Sequence, residues 1–134
     1  MQTLTRAQYD QISGAILEVS VDVHRRLGPG LLESVYEAVL AHELRKRGFE
    51  VAVQTAVPVI WDDVRLEVGF RADLIVNDAG LIELKSVETI APVHKKQTLT
   101  YLKLLDCRLG LLINFGADLI KDGLTRIANQ LEGR

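Results

Sequence analysis

Residues 70–87 read FRADLIVNDAGLIELKSV, two apolar extended segments around a polar turn, with three charged side chains inside them: Asp73, Glu83 and Lys85. Side chains in a strand alternate between faces, so Glu83 and Lys85 share one face, while Ile82 and Leu84 point into the opposite, apolar layer. Asn77, Asp78, Ala79 and Gly80 have the chemistry of a tight turn, so the two segments are expected to pair as a hairpin that brings Asp73 alongside Glu83. Two acids and a lysine in an Ile/Leu/Val-rich sheet would cost several kcal/mol to bury unpartnered. A cation at the acids would offset that cost.

Two carboxylates, a main-chain carbonyl such as that of Leu84, and waters make an oxygen-rich donor set suited to Mg²⁺ or Mn²⁺ rather than zinc. Such an ion polarises a phosphoryl oxygen and stabilises the leaving oxygen. Lys85 has the reach to orient an attacking water or to neutralise developing charge. Phosphodiester hydrolysis is the reaction that uses all these parts. The spacing alone also admits a plain alternative, a solvent-facing hairpin with a cross-strand ion pair worth roughly 0.2 to 1 kcal/mol.

The 134 residues suit one domain spanning 1–134, and 48% hydrophobic with 25% charged residues is globular composition. No run of about 18 apolar residues appears, so no membrane span is expected. The start, MQTLTRAQYDQ, lacks a basic region followed by an apolar one, which predicts a cytoplasmic location. Cys107, the single cysteine, lies in an apolar stretch and reads as core packing. A net charge of -2 supplies no global affinity for nucleic acid. Of three basic clusters, His24-Arg25-Arg26 and Arg45-Lys46-Arg47 fall near expected helix C-termini, where cations complement the helix dipole. His94-Lys95-Lys96 instead opens a helix directly after the Glu-x-Lys strand, beside the acids.

Around the hairpin the hydrophobic period changes twice. From about Arg6 to Leu27, Ile12, Ile16, Val19 and Val23 recur at helical spacing, and Gly28-Pro29-Gly30 ends the helix. A second helix is expected from about Leu31 to Arg47, with Leu32, Val35, Val39, Leu40 and Leu44 as its apolar stripe. Strand alternation follows through Phe49, Val51 and Val53, then Val57, Val59 and Trp61, with Asp62-Asp63 turning into Val64, Leu66 and Val68. Trp61 either stands exposed or caps the core from a hairpin end. A third helix from about Val93 to Leu105 leads to a strand, Leu109 to Phe115, apolar enough to be buried on both faces and to pair in parallel with the Glu83 strand. Leu119 to Asn129 reads equally as a short helix or a short strand. Two polar pairs share helical faces: Glu33 with Tyr36, and Gln97 with Tyr101. Glu33 is either a dipole partner or a site acid. Gln97 and Tyr101 are either a surface Gln and a half-buried Tyr, or groups that reach the substrate phosphate or Lys85.

Gly30-Leu31-Leu32-Glu33-Ser34-Val35-Tyr36 resembles the G-x-x-E-x-x-Y signature of a family of small bacterial and archaeal proteins. The resemblance runs from about Ile12 to Asn129 and includes, in order, F-R-A-D-L-I-V, I-E-L-K, Q-x-x-x-Y and N-F-G. The GxxExxY family is grouped with the PD-(D/E)XK nuclease superfamily. The resemblance implies an α/β fold, a restriction-endonuclease-like mixed central sheet flanked by helices. It also implies that Asp73 and Glu83 are metal ligands and Lys85 the catalytic lysine, with Glu33 as an additional acid. Gln97 and Tyr101 match the Q-x-x-x-Y helix of the branch related to the exonuclease domain of recombination helicases. Arg71-Ala72 stands where the superfamily's name has its proline, a departure that removes no ligand.

The expected function is a Mg²⁺- or Mn²⁺-dependent nuclease acting on DNA, or RNA as the less favoured substrate. Lys85, Asp73 and Glu83 would be catalytic, Asp73, Glu83 and Glu33 would hold the metal, and Gln97, Tyr101, Lys95, Lys96 and Tyr36 would bind substrate. A non-cleaving nucleic-acid- or protein-binding module on the same scaffold is the alternative. A homodimer would enlarge the substrate surface of so small a domain.

Overall fold

The computed structural model describes residues 1, 3–67 and 69–131. Two helices come first, α1 (Arg6–Leu27) and α2 (Glu33–Lys46). Thr5 caps α1 through a reciprocal pair of bonds with Gln8, satisfying N–H groups that the first helical turn leaves unpaired. The strands β1 (Val51–Ala56), β2 (Val59–Trp61), β3 (Val64–Leu66), β4 (Arg71–Val76) and β5 (Gly80–Lys85) follow. Helix α3 (Pro92–Leu104), strand β6 (Leu109–Asn114), the single turn α4 (Ile120–Gly123) and strand β7 (Leu124–Ala128) come next. The stretch that read as helix or strand is therefore both in succession. Val68, expected in the third strand, lies outside the described residues.

The main sheet has the order β1-β4-β5-β6-β7, with β5 and β6 parallel and the other pairs antiparallel. This is the mixed, helix-flanked α/β sheet of the restriction-endonuclease-like fold. Alternation divides its side chains between two layers. Leu74, Val76, Ile82, Leu84, Leu109, Leu111 and Ile113 pack with α1 and α2, whereas Ile75 and Leu81 pack with Tyr101 and Leu102 of α3. Gly110 allows α3 to come that close: a Cβ there would stand 2.9 Å from a Leu102 methyl. Cys107 is a buried core residue whose thiol donates to the Ala79 carbonyl at 3.3 Å.

The apolar stripe of α2 is rotated from the expected one. Tyr36, Leu40, Ala41 and Leu44 are buried, while Leu32 and Val35 face solvent. Tyr36 sets this rotation, because its ring stacks on Phe115 at 4.4 Å between centroids. Strands β2 and β3 form a separate hairpin, and Trp61 at its tip is 71% exposed, so it does not cap the core.

Candidate active site

The turn after β4 is made by Asn77 and Asp78, both at positive φ (52° and 50°), which gives the twist that a tight hairpin needs. The register then runs Val76↔Gly80, Ile75↔Leu81 and Leu74↔Ile82. One step further Asp73 stands opposite Glu83, and there side chains take over from the ladder. The Asp73 backbone N–H donates to Glu83 Oε1 at 3.2 Å, and the Leu84 N–H donates to Asp73 Oδ2 at 2.8 Å. A gap of the same kind occurs on the other edge of β4. β1 pairs Val53↔Leu74 and Thr55↔Ala72 but has no backbone pair between Gln54 and Asp73. Gln54 has φ +50° and reaches Asp73 Oδ1 through its side-chain amide at 3.2 Å. Asp73 thus sits where both neighbouring ladders lapse, with both carboxylate oxygens held.

Glu83 is 6% exposed and carries the strongest electrostatic perturbation of the site. Burial, and then the charge of Asp73, push its carboxyl up from 4.5 to about 8, against the opposing pull of the Asp73 N–H and of Lys85. Tyr101 of α3 lies over the same face, where burial and then the Glu83 charge raise its phenol. Lys85, half-buried, only partly offsets the effect of burial and of the Asp73 charge on Glu83.

Lys85 and the segment after it are fastened to the end of β6. The Phe115 N–H donates to the Lys85 carbonyl at 2.8 Å. Asn114, 2% exposed, accepts from the N–H groups of Val87 and Gly116 at 3.0 and 2.9 Å and donates to the Val87 carbonyl at 2.8 Å. Gly116 must be glycine here, because a Cβ would fall 2.2 Å from the Val87 carbonyl oxygen. The strap so held presents the Ser86 N–H to Glu33 Oε2 at 3.2 Å, while the Ser86 hydroxyl donates to the Leu31 carbonyl at 2.6 Å. Glu33 is thereby drawn to the end of β5. Glu33, Ser34, Glu37, Gln54, Asp73 and Leu84 line one hollow of about 200 Å³. A larger hollow of about 460 Å³ among Leu4, Gln8, Gly48 and Asn77 has Glu50 as its one lining carboxylate, so size does not mark the site.

Of the expected substrate contacts, Tyr36 requires correction. It is fully buried, its hydroxyl donates to the Gly28 carbonyl at 2.6 Å and accepts from the Leu31 N–H at 3.1 Å, and no face is left for a ligand. Its job is to fold the loop that presents Glu33. Gln97 is exposed and donates to the Tyr101 hydroxyl at 3.0 Å, one turn along α3. Lys95 and Lys96 are exposed in the first turns of the same helix, and no ion pair within 4.0 Å engages either among the described residues. The other two basic clusters are structural: Arg25 and Arg26 bond Asp22, Arg47 bonds Glu18, and His24 bonds the Ala117 carbonyl.

Glu37, Gln54 and Ser86 were not singled out from sequence, and Asn114 entered only as part of the N-F-G stretch. Glu37 stands one turn beyond Glu33 at i, i+4, a signal that was available. Gln54 could be found only from the register that sets it opposite Asp73.

The donors around the hollow are hard oxygens, with no thiolate or imidazole among its lining residues. Among the described residues, no group of three or more His, Cys, Asp or Glu side chains is placed to hold a metal ion. Mg²⁺ characteristically takes one or two carboxylates and completes its shell with waters and substrate phosphates. The Asp73–Glu83 pair offers two carboxylates, the donor type that such an ion takes.

A mixed sheet flanked by helices, with Asp and Glu-x-Lys on adjoining central strands, defines a nuclease-type core. Over residues 10–127 the sequence matches the family model of the PD-(D/E)XK nuclease superfamily, and the chain belongs to that superfamily. Its members act on nucleic acids and generally use divalent metals. Comparison with curated proteins and with solved structures gave no match. Among the described residues no helix is long and apolar enough to cross a membrane.

Proposed function

We propose that this chain is a metal-dependent nuclease of the GxxExxY branch that hydrolyses phosphodiester bonds of DNA in preference to RNA. The observation that carries the reading is the crossed bonding of paired strands, with the Asp73 N–H donating to the Glu83 carboxylate and the Leu84 N–H to the Asp73 carboxylate, and Lys85 on the Glu83 face. Asp73 and Glu83 would hold Mg²⁺ or Mn²⁺, with Glu33 completing the acidic rim. The ion, when bound, supplies Lewis-acid polarisation and charge neutralisation at the phosphate. Lys85 orients the attacking water and offsets negative charge that develops as the bond to the leaving oxygen breaks. Tyr101, whose hydroxyl accepts from Gln97, is set to donate to a phosphate oxygen. Lys95 and Lys96 add attraction for the nucleic-acid backbone.

The test is cleavage of labelled single-stranded, duplex and flap DNA, and of matched RNA, with Mg²⁺ and with Mn²⁺. Wild type is compared with Lys85→Ala and Asp73→Asn, whose folding is checked by circular dichroism. Metal-dependent cutting of DNA by wild type, reduced at least about 100-fold in both variants, is the expected outcome, on the scale of losing one preorganised stabilising group. If no substrate is cut while all three proteins bind DNA alike, the scaffold is a binding module and the nuclease reading fails.

A further inference from the structure

Gln54 is an anomaly in its own strand. It is a non-glycine residue at φ +50° in the middle of β1, where an extended φ would be normal, and the ladder skips it between Val53↔Leu74 and Thr55↔Ala72. A residue with a Cβ enters the left-handed region rarely, and such backbone strain concentrates at functional sites.

The consequence of that conformation is where the side chain goes. Gln54 Nε2 donates to Asp73 Oδ1 at 3.2 Å and also to Glu37 Oε1 on α2. An amide nitrogen carries two protons, so each is committed to one carboxylate. The reversed amide is excluded by chemistry, because its oxygen would then face two carboxylate acceptors. Asp73 belongs to the sheet and Glu37 to the helix whose first turn carries Glu33. A single amide therefore ties the sheet-borne acid to the helix-borne acids across the hollow that Glu33, Glu37, Gln54 and Asp73 line.

We propose that Gln54 is a positioning residue for the site, setting the Asp73 carboxylate and the acidic turn of α2 at a fixed separation through its bridge from Asp73 to Glu37. The inference rests on the functional reading above, in which Asp73 and Glu33 hold the ion. The left-handed backbone of Gln54 aims one side chain at two elements, and an extended residue at the same position would direct its side chain along the normal strand alternation instead.

Glycine separates the backbone from the bridge, since it adopts positive φ without strain. Gln54→Gly should fold and melt like wild type while losing both hydrogen bonds. Two measurements are made on the full chain: Mn²⁺ affinity by titration calorimetry, and steady-state cleavage resolved into kcat and KM. Loss of an outer partner of a ligand typically weakens metal affinity or activity about 10- to 100-fold. The expected result is a Mn²⁺ Kd raised by that factor and a lower kcat at unchanged KM. Glu37→Gln, which removes the far anchor of the bridge, should move the same quantities in the same direction. A Gln54→Gly protein that binds Mn²⁺ within about 2-fold of wild type and cleaves normally overturns the role of Gln54 and leaves the nuclease reading standing. Early melting of Gln54→Gly, with every activity lost in proportion to unfolding, makes Gln54 a purely structural residue and overturns it too. Absence of Mn²⁺ uptake by wild type removes the functional reading and this inference together.

Discussion

Glu83→Gln isolates the energetic cost of the acid pair. In the metal-free protein Glu83 is 6% exposed and its carboxyl is raised from 4.5 to about 8, first by burial and then by Asp73. A carboxyl whose pKa rises on folding stabilises the native state fully below its unfolded pKa, and that stability is lost as pH climbs through the folded value. One pKa unit is worth about 1.4 kcal/mol, so the full loss approaches about 5 kcal/mol above pH 8, of which roughly 3 kcal/mol falls between pH 5 and pH 7.5. Against a typical total of about 5 to 15 kcal/mol, that is a large share. Glutamine keeps the oxygen that accepts the Asp73 N–H and cannot ionise. Urea denaturation of wild type and Glu83→Gln, in EDTA at both pH values, should find the variant gaining about 3 kcal/mol relative to wild type as the pH is raised. Differences of this kind cancel the other titrating groups. If the two proteins run parallel within about 0.5 kcal/mol, Glu83 is not strained and the argument that the acids need a cation loses its basis.

Tyr36→Phe should cost about 1 to 3 kcal/mol, because it orphans the Gly28 carbonyl and the Leu31 N–H that the hydroxyl serves, and it should leave DNA affinity of the folded protein unchanged. A binding defect without a stability defect would return Tyr36 to the substrate. Gly116→Ala puts a Cβ 2.2 Å from the Val87 carbonyl oxygen and 2.7 Å from its nitrogen, both backbone atoms. A loss of about 3 kcal/mol or more in chemical denaturation is expected, with activity reduced because the strap holding Ser86 and Lys85 must shift. Wild-type stability would show that β5 and β6 do not need that close approach.

What could be read directly from sequence was local. Helix α1 runs from Arg6 to Leu27 as its period of three and four predicts, and the hairpin turns at Asn77-Asp78 because those residues tolerate positive φ. The Asp73, Glu83 and Lys85 positions followed from alternation within two short strands, and alternation is a property of any extended backbone. The rotation of α2 was not legible, since Leu32 and Val35 are as apolar as Leu40 and only the stacking of Tyr36 on Phe115 chooses between the faces. Nor was the bridge at Gln54, which exists because β1 and β4 meet in one register and α2 crosses above them. The partners of Asn114 were equally illegible, because they belong to the strap around Val87, 27 residues earlier in the chain. The acids themselves and the lysine were thus fixed by local chemistry and periodicity. The burial that raises the affinity of Glu83 for a proton and the tie to α2 depend on chain segments tens of residues apart, and contacts of that range leave no period in a sequence.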